Sequence, residues 1–162
     1  MKCDASAFAS MYETVYTDLY RFALCMMKDP HDAEDAVSDA VVSAYEHIAS
    51  LRSEKAFKNW IFTILANTCK KKLKIAANQQ KQITFFNEKA AYEAGEETDY
   101  GLAIDVRKAF AVLSDEEQMI VGFSVFGGYQ SAEIADMMKL NANTVRSKRS
   151  RALEKMNVIL EY

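Results

Sequence analysis

The chain has few prolines, glycines and cysteines, and each shortage limits the classes of protein to which it can belong. One Pro and five Gly in 162 residues are few for a protein with many tight hairpins, so an all-α fold is expected. Cys3, Cys25 and Cys69 are odd in number and have no C-x-x-C spacing, which favours a reduced cytoplasmic protein with idle thiols. No apolar run is long enough to span a bilayer, and residues 1–6 lack the apolar core of a signal peptide. We therefore expect a cytoplasmic protein without membrane insertion.

The chain also lacks the residue clusters that mark metal and catalytic sites. His31 and His47 are isolated, with no carboxylate or cysteine at metal-ligand spacing, so both are expected at the surface. An enzyme acting on DNA, such as a recombinase, needs a nucleophile beside clustered basic or metal-binding groups. The N-terminal half contains no such arrangement. The sequence therefore predicts no metal, no cofactor, no catalytic residue and no enzymatic activity.

What is present is a stretch from residue 131 to residue 151 that is typical of two helices joined by a tight turn. Asn141 and Asn143 favour the turn, because Asn tolerates unusual backbone angles and caps helices. The predicted apolar faces consist of Ile134, Ala135, Met138 and Leu140 on the first helix and Val145, Ala152, Leu153 and Met156 on the second. The second helix also carries four cations, which are Arg146, Lys148, Arg149 and Arg151. Helix-turn-helix proteins place such a helix in the DNA major groove, and the alternative is a solvated basic face on an ordinary helical hairpin.

Charge is distributed unevenly along the chain. The net charge of −3 is unexpected for a protein that binds DNA unaided, since neutralisation of phosphates supplies much of such affinity. A second basic run consists of Lys70, Lys71, Lys72 and Lys74, and an acidic patch consists of Asp29, Asp32, Glu34, Asp35 and Asp39. Separate basic and acidic faces suit a protein that a larger partner holds on DNA.

Helical periodicity divides the chain into two groups of helices. Helices are predicted over residues 5–27, from Asp29-Pro30 to about residue 49, and from Phe57 into the lysine run, with Phe57 and Trp60 in the core. A linker follows, and the helical period resumes at about residue 102. Ser114 and Glu117 form a capping box before a helix that stops at Gly127-Gly128. We predict two small helical domains, at 1–75 and 100–162, joined by a linker at 76–99.

Three segments of this arrangement resemble the small extracytoplasmic-function (ECF) group of the sigma-70 family, which has only regions 2 and 4. Residues 32–39 (DAEDAVSD) resemble region 2.2, and residues 57–61 (FKNWI) with Ala66-Asn67 resemble region 2.4. Residues 113–152, which include Thr144-Val145-Arg146-Ser147, resemble region 4. The resemblance implies a transcription initiation factor that directs core RNA polymerase to promoters. It implies three partners: the polymerase (β′ coiled coil and β flap), promoter DNA and an anti-sigma factor.

The resemblance also implies roles for individual residues. Asp35, Ser38 and Asp39 would bind polymerase. The candidates for contact with the −10 promoter element are Arg52, Lys55, Asn67, Lys70 and Lys71. The candidates for the −35 element are Thr144, Arg146, Ser147, Lys148, Arg149, Ser150 and Arg151. Lys139 stands where relatives often have Gly, which predicts strain in the turn or a shift by one residue. The alternative function is a helix-turn-helix regulator that binds DNA independently of polymerase.

Overall fold

The computed structural model describes residues 4–80 and 104–160, and within these ranges every regular element is helical. The all-α prediction is confirmed. The helices are α1 (Ala5–Met27), α2 (Pro30–Glu46), α3 (Phe57–Gln80), α4 (Ile104–Ala111), α5 (Asp115–Val125), α6 (Ser131–Met138) and α7 (Ala142–Leu160). Short 3-10 helices occupy Ile48–Ser50 and Glu54–Ala56. Cys3 and residues 81–99 of the predicted linker lie outside the described residues.

The break between α1 and α2 forms where the sequence predicts it. Lys28 ends α1 in the left-handed conformation, with φ of 67°. Asp29 then caps α2, because its Oδ1 accepts hydrogen bonds from the backbone N–H groups of His31 and Asp32 at 2.8 and 3.1 Å. Pro30 occupies the first helical position, where its missing N–H has no consequence. These local interactions fix the point at which the chain reverses.

Two helix ends differ from the prediction. The α-helical part of α2 ends at Glu46 and a 3-10 turn follows at Ile48–Ser50, because the backbone at His47 leaves the helical region with ψ of 18°. Helix α3 continues past the lysine run to Gln80. Residues 75–80 contain neither Pro nor Gly, and Ala and Gln are good helix formers, so nothing in this segment stops the helix.

Helices α1, α2 and α3 pack into a first unit. Its largest fully buried side chains are Leu19, Phe22, Met26, Val37, Ile61, Phe62 and Leu65. The inner face of α2 is built from small residues, which let the neighbouring helices approach closely, and these are Ala33, Ala36, Ala40 and Ala44. Phe57 is buried and Trp60 half-buried. Tyr16 is 37% exposed and contacts the rings of Tyr12 and Tyr20 on the same helix.

Helices α4 to α7 pack into a second unit. Its buried residues include Phe110, Ile120, Ile134, Val145, Ala152 and Met156. The predicted inner position of Leu153 is wrong, because this side chain is 41% exposed. Val145, Ala152 and Met156 recur at intervals of seven and four residues, which keeps them on one helical stripe. Leu153 lies one residue, about 100°, away from that stripe.

The two units are in contact. Phe22 of α1 stacks on Phe123 of α5, with ring centroids 5.5 Å apart and ring planes at 12°. Arg107 Nη2 of α4 donates a hydrogen bond of 3.1 Å to the backbone oxygen of Lys28, which ends α1. Buried residues of both units therefore belong to one continuous hydrophobic cluster. The sequence patterns do not indicate this contact.

Candidate nucleic-acid interface

The helix-turn-helix is formed by α6, a tight turn and α7. Lys139 ends α6 in the left-handed conformation with φ of 57°, a position that is strained for a side chain larger than Gly. The Leu140 N–H donates to Ala135 O at 2.9 Å. Leu140 therefore lies in the turn and not on the first helix, and Asn143 lies inside α7 and not in the turn, which corrects both predictions. Asn141 Oδ1 accepts a hydrogen bond of 2.8 Å from the Asn143 N–H, as expected for the residue that caps α7.

The exposed side of α7 presents cations and hydroxyls together. Arg146, Ser147, Ser150 and Arg151 are exposed and line one shallow depression of about 550 Å³. Arg151 Nε donates to Ser147 O at 3.4 Å, and Arg146 donates to Asn143 Oδ1. The remaining −35 candidates are half-buried, and these are Thr144, Lys148 and Arg149. Guanidinium and hydroxyl groups exposed side by side on one helix are suited to phosphate and base-edge contacts.

Two ion pairs fix α7 against α5. Lys148 Nζ pairs with Glu116 Oε1, and Lys155 Nζ lies 3.0 Å from both carboxylate oxygens of Glu117. Glu117 is also the partner of Ser114 in the predicted capping box, which is confirmed: Ser114 N donates to Glu117 Oε1 at 2.9 Å and Glu117 N donates to Ser114 Oγ at 3.2 Å. The hydrogen bond from the Ser114 N–H lowers the pKa of the Glu117 carboxyl, with a further lowering from Lys155.

The −10 candidates lie on α3 and on the segment before it. Arg52 and Lys55 are exposed in the connection from α2 to α3, which buried Leu51 anchors to the core. Asn67, Lys70 and Lys71 are exposed on α3. Lys55 also lines a groove of about 640 Å³, whose other lining residues are Ala56, Lys58, Asn59, Trp60, Thr63, Ile64, Tyr129 and Glu133. The groove thus combines cations, amides and aromatic rings, which are the groups that bind unpaired nucleotides.

The polymerase-binding candidates form an exposed stripe on α2. Asp35, Ser38 and Asp39 are all exposed. Asp39 Oδ2 lies 2.7 Å from Lys72 Nζ of α3, and this hydrogen bond is the largest cause that raises the pKa of the Lys72 ammonium. Burial raises the pKa of the neighbouring Asp32, and the charges of Asp29 and Asp35 add to the effect. The stripe is therefore a concentration of negative charge that one lysine partly neutralises.

The remaining titratable residues form no additional site. Cys25 and Cys69 are buried, and burial raises the pKa of each thiol to about 12, which leaves both unreactive. His31 and His47 are exposed, as predicted. Within residues 4–80 and 104–160, no three His, Cys, Asp or Glu side chains could hold a metal ion together. In the same ranges, no helix has both the length and the apolar composition to cross a membrane.

Comparisons with known proteins agree with this geometry. Residues 11–78 match the model of Sigma-70 region 2, and residues 103–156 match the model of Sigma-70, region 4. The chain belongs to the sigma-70 family. Its regions 2 and 4 correspond to the two helical units. The main interpretation of the sequence, an ECF sigma factor, is confirmed, and the polymerase-independent regulator is not favoured.

Individual relatives cover nearly the whole sigma factor. The ECF RNA polymerase sigma factor SigM of Mycobacterium tuberculosis is 29% identical over 160 residues, which cover 98% of this chain and 80% of the relative. The RNA polymerase sigma factor SigV of Bacillus subtilis is 28% identical over 147 residues, which cover 88% of this chain and 84% of the relative. The fold matches the sigma factor RpoE of Bartonella quintana, solved in complex with the anti-sigma factor NepR. The two structures superpose with a TM-score of 0.82 at 24% sequence identity, and the match covers 97% of this chain and 98% of the RpoE chain.

Proposed function

We propose that this sigma factor binds core RNA polymerase through α2 and directs it to promoters through α3 and α7. The observation that carries the proposal is the separation of charge, with exposed carboxylates on α2 and exposed guanidinium groups on α7. An acidic stripe pairs with a basic protein surface, and a basic helix pairs with DNA. Residues 1–75 act as the region 2 domain, residues 76–99 as the linker and residues 100–162 as the region 4 domain.

Docking on polymerase is assigned to Asp35, Ser38 and Asp39. Asp35 and Asp39 are four residues apart on one helix, so both carboxylates face the same partner surface. The β′ coiled coil of polymerase is that partner, and the region 4 domain contacts the β flap. An anti-sigma factor that covers either surface would keep the sigma factor from polymerase. Polymerase and promoter are both cytoplasmic, so the sigma factor works in that compartment.

Opening of the −10 element is assigned to the first unit. Arg52, Lys55, Asn67, Lys70 and Lys71 contact the strand phosphates and the unpaired bases. Flipping a base out of the stack costs a few kcal/mol, which stacking and hydrogen bonds in the receiving surface must offset. The exposure of these five residues and the groove that Lys55 lines support this assignment.

Reading of the −35 element is assigned to α7. Arg146, Ser147, Ser150 and Arg151 form its exposed centre, and Thr144 and Arg149 flank them. Each domain binds weakly, and the linker makes the two together effective through a high local concentration. The sigma factor itself carries out no chemistry in this scheme, because polymerase forms the RNA.

The test combines a binding assay with run-off transcription. Labelled full-length chain is titrated with core polymerase, and the holoenzyme is then given a promoter library. We expect saturable binding, promoter-specific transcripts and loss of both in the double variant Asp35→Asn, Asp39→Asn. Glu13→Gln is the matched control, since Glu13 is an exposed acid on α1, outside the proposed polymerase-binding stripe. Tight, specific DNA binding by the chain alone, with no association with polymerase, would refute the proposal.

A further inference from the structure

Two residues other than glycine adopt the left-handed backbone conformation within residues 4–80 and 104–160, and both are lysines. Lys28 ends α1 with φ of 67°, and Lys139 ends α6 with φ of 57°. This conformation brings the Cβ of an L-residue too close to the following carbonyl oxygen, a cost that Gly does not have. A side chain held in such a strained position raises the question of what it does.

The turn at Lys139 is closed by the backbone alone. The N–H groups of Lys139 and Leu140 both donate to Ala135 O. This arrangement needs the left-handed conformation at Lys139, and it uses no atom of the lysine side chain. Gly at this position would end α6 equally well and without strain, so the formation of the turn does not explain the lysine.

The Lys139 ammonium is available to an external partner. The residue is exposed, and within residues 4–80 and 104–160 its side chain makes no ion pair or hydrogen bond. By contrast, Lys148 and Lys155 of α7 pair with Glu116 and Glu117 of α5. The charge of Lys139 is therefore one that the helix-turn-helix does not neutralise internally.

Lys139 lies at the edge of the proposed −35 surface. Helix α7 begins three residues later, at Ala142, and Arg146 and Ser147 are exposed in its second turn. In helix-turn-helix proteins the N-terminal residues of the second helix contact base edges in the major groove. The chain that leads directly into that helix therefore passes the backbone phosphates at the edge of the groove. A lysine is a compact charge on a flexible stem, which suits contact with a phosphate.

We propose that Lys139 contacts a promoter phosphate beside the −35 element, and that DNA binding, not folding, accounts for a lysine in this strained position. This inference rests on the proposed function, because it assumes that α7 reads the −35 element. The contact adds affinity without sequence specificity, since every base pair has the same phosphates. The alternative is that the ammonium only offsets the negative end of the α6 dipole.

Three substitutions separate the charge of Lys139 from its strain. Lys139→Gly removes both, Lys139→Gln removes the charge and keeps the strain, and Lys139→Arg keeps both. Lys28→Gly is the matched control, because Lys28 is an exposed lysine in the same backbone conformation but lies in the first unit, outside the proposed DNA contacts. Thermal melts of the full chain measure stability. Equilibrium binding of the holoenzymes to a −35 duplex is measured over a series of salt concentrations.

The two measurements should move in opposite directions for Lys139→Gly. We expect this variant and Lys28→Gly each to raise the melting temperature by about 2–4 °C, because Gly removes the left-handed strain. Lys139→Gly and Lys139→Gln should flatten the slope of log affinity against log salt by about 0.9, the contribution of one phosphate. The loss should be equal on a duplex with a scrambled −35 element. Lys139→Arg and Lys28→Gly should leave the slope unchanged.

Arg151→Gln reports in the same assay whether α7 itself contacts DNA. A slope that Arg151→Gln flattens, but that Lys139→Gly and Lys139→Gln leave unchanged, would refute the Lys139 contact alone. A slope that none of these variants changes would refute the −35 role of α7 as well. A lower melting temperature in Lys139→Gly would refute the argument from strain. Failure of the parent chain to associate with polymerase would refute the proposed function, and this inference with it.

Discussion

Lys148 is the most informative position at which to test how α7 meets DNA. The sequence places it in a row of cations that would contact the −35 element, whereas its ammonium pairs with Glu116 of α5 in the folded chain. Arg151, three residues further along, is exposed in the depression formed with Arg146, Ser147 and Ser150. We expect Arg151→Gln to remove a phosphate contact and Lys148→Gln to remove none.

The size of the difference follows from counterion release. Each phosphate contact contributes about 0.9 to the slope of log affinity against log salt concentration. Raising the salt from about 50 to about 200 mM therefore weakens one such contact by about 3.5-fold. Arg151→Gln should flatten the slope by about 0.9, and Lys148→Gln should leave it unchanged. Glu116→Gln releases the lysine and should steepen the slope by up to about 0.9.

The assay is equilibrium binding of holoenzyme to a duplex that carries the −35 element, measured over a series of salt concentrations. The three variants should bind polymerase with equal affinity, and this serves as the control. Lys148 and Glu116 are 35% and 38% exposed, so losing their ion pair costs at most about 1 kcal/mol of stability. A slope that flattens equally for Lys148→Gln and Arg151→Gln would refute the reasoning, because the ion pair would then break on DNA.

Three further substitutions have defined outcomes. Lys72→Gln frees the Asp39 carboxylate and should tighten polymerase binding up to about fivefold, since exposed ion pairs contribute roughly 0.2–1 kcal/mol. Fluorescence anisotropy measures the affinity, and weaker binding would contradict this expectation. Arg149→Ala should weaken promoter recognition in run-off transcription by about 1–3 kcal/mol, because it removes a bidentate contact to a base. An equal loss on templates with a scrambled −35 element would contradict the assignment of Arg149 to that element. Glu117→Ala should lower the free energy of unfolding by about 2 kcal/mol in thermal melts. The hydrogen bond from the Ser114 N–H lowers the pKa of the Glu117 carboxyl in the folded chain. The stability that Glu117 contributes is therefore complete above about pH 4.5 and disappears as the pH falls below the folded-state pKa. A stability difference between parent and variant that persists in acid would contradict the mechanism.

Local signals predicted most of the fold correctly. The Asp29-Pro30 break, the Ser114 capping box and the stop at Gly127-Gly128 all depend on residues close together in sequence. Their hydrogen bonds satisfy backbone groups that a helix end leaves free. Periodicity also predicted the buried positions Val145 and Met156, because a sustained apolar stripe has one direction in which to pack.

Contacts between distant residues account for what the sequence could not predict. In the sequence, Lys148 is one of four cations between residues 146 and 151. Only the packing of α5 against α7 gives it a carboxylate partner. Nothing in the sequence distinguishes Gly122 from other helix glycines, but in the folded chain the Phe22 ring packs against it. Tyr129 sits in a turn and carries no periodic signal, yet it contacts Phe62. Pairing between units separated by about a hundred residues depends on tertiary geometry that no local pattern encodes.

Internal ion pairing explains why this sigma factor should need polymerase in order to hold DNA. Lys72, Lys148 and Lys155 each pair with a carboxylate of the same chain, so the cations free to displace counterions are fewer than the sequence suggests. With a net charge of −3, long-range attraction to DNA does not compensate for this loss. Promoter affinity must then come from two weak surfaces held on one polymerase at matched spacing. The chain alone should therefore bind promoter DNA weakly even at low salt, where phosphate contacts are strongest.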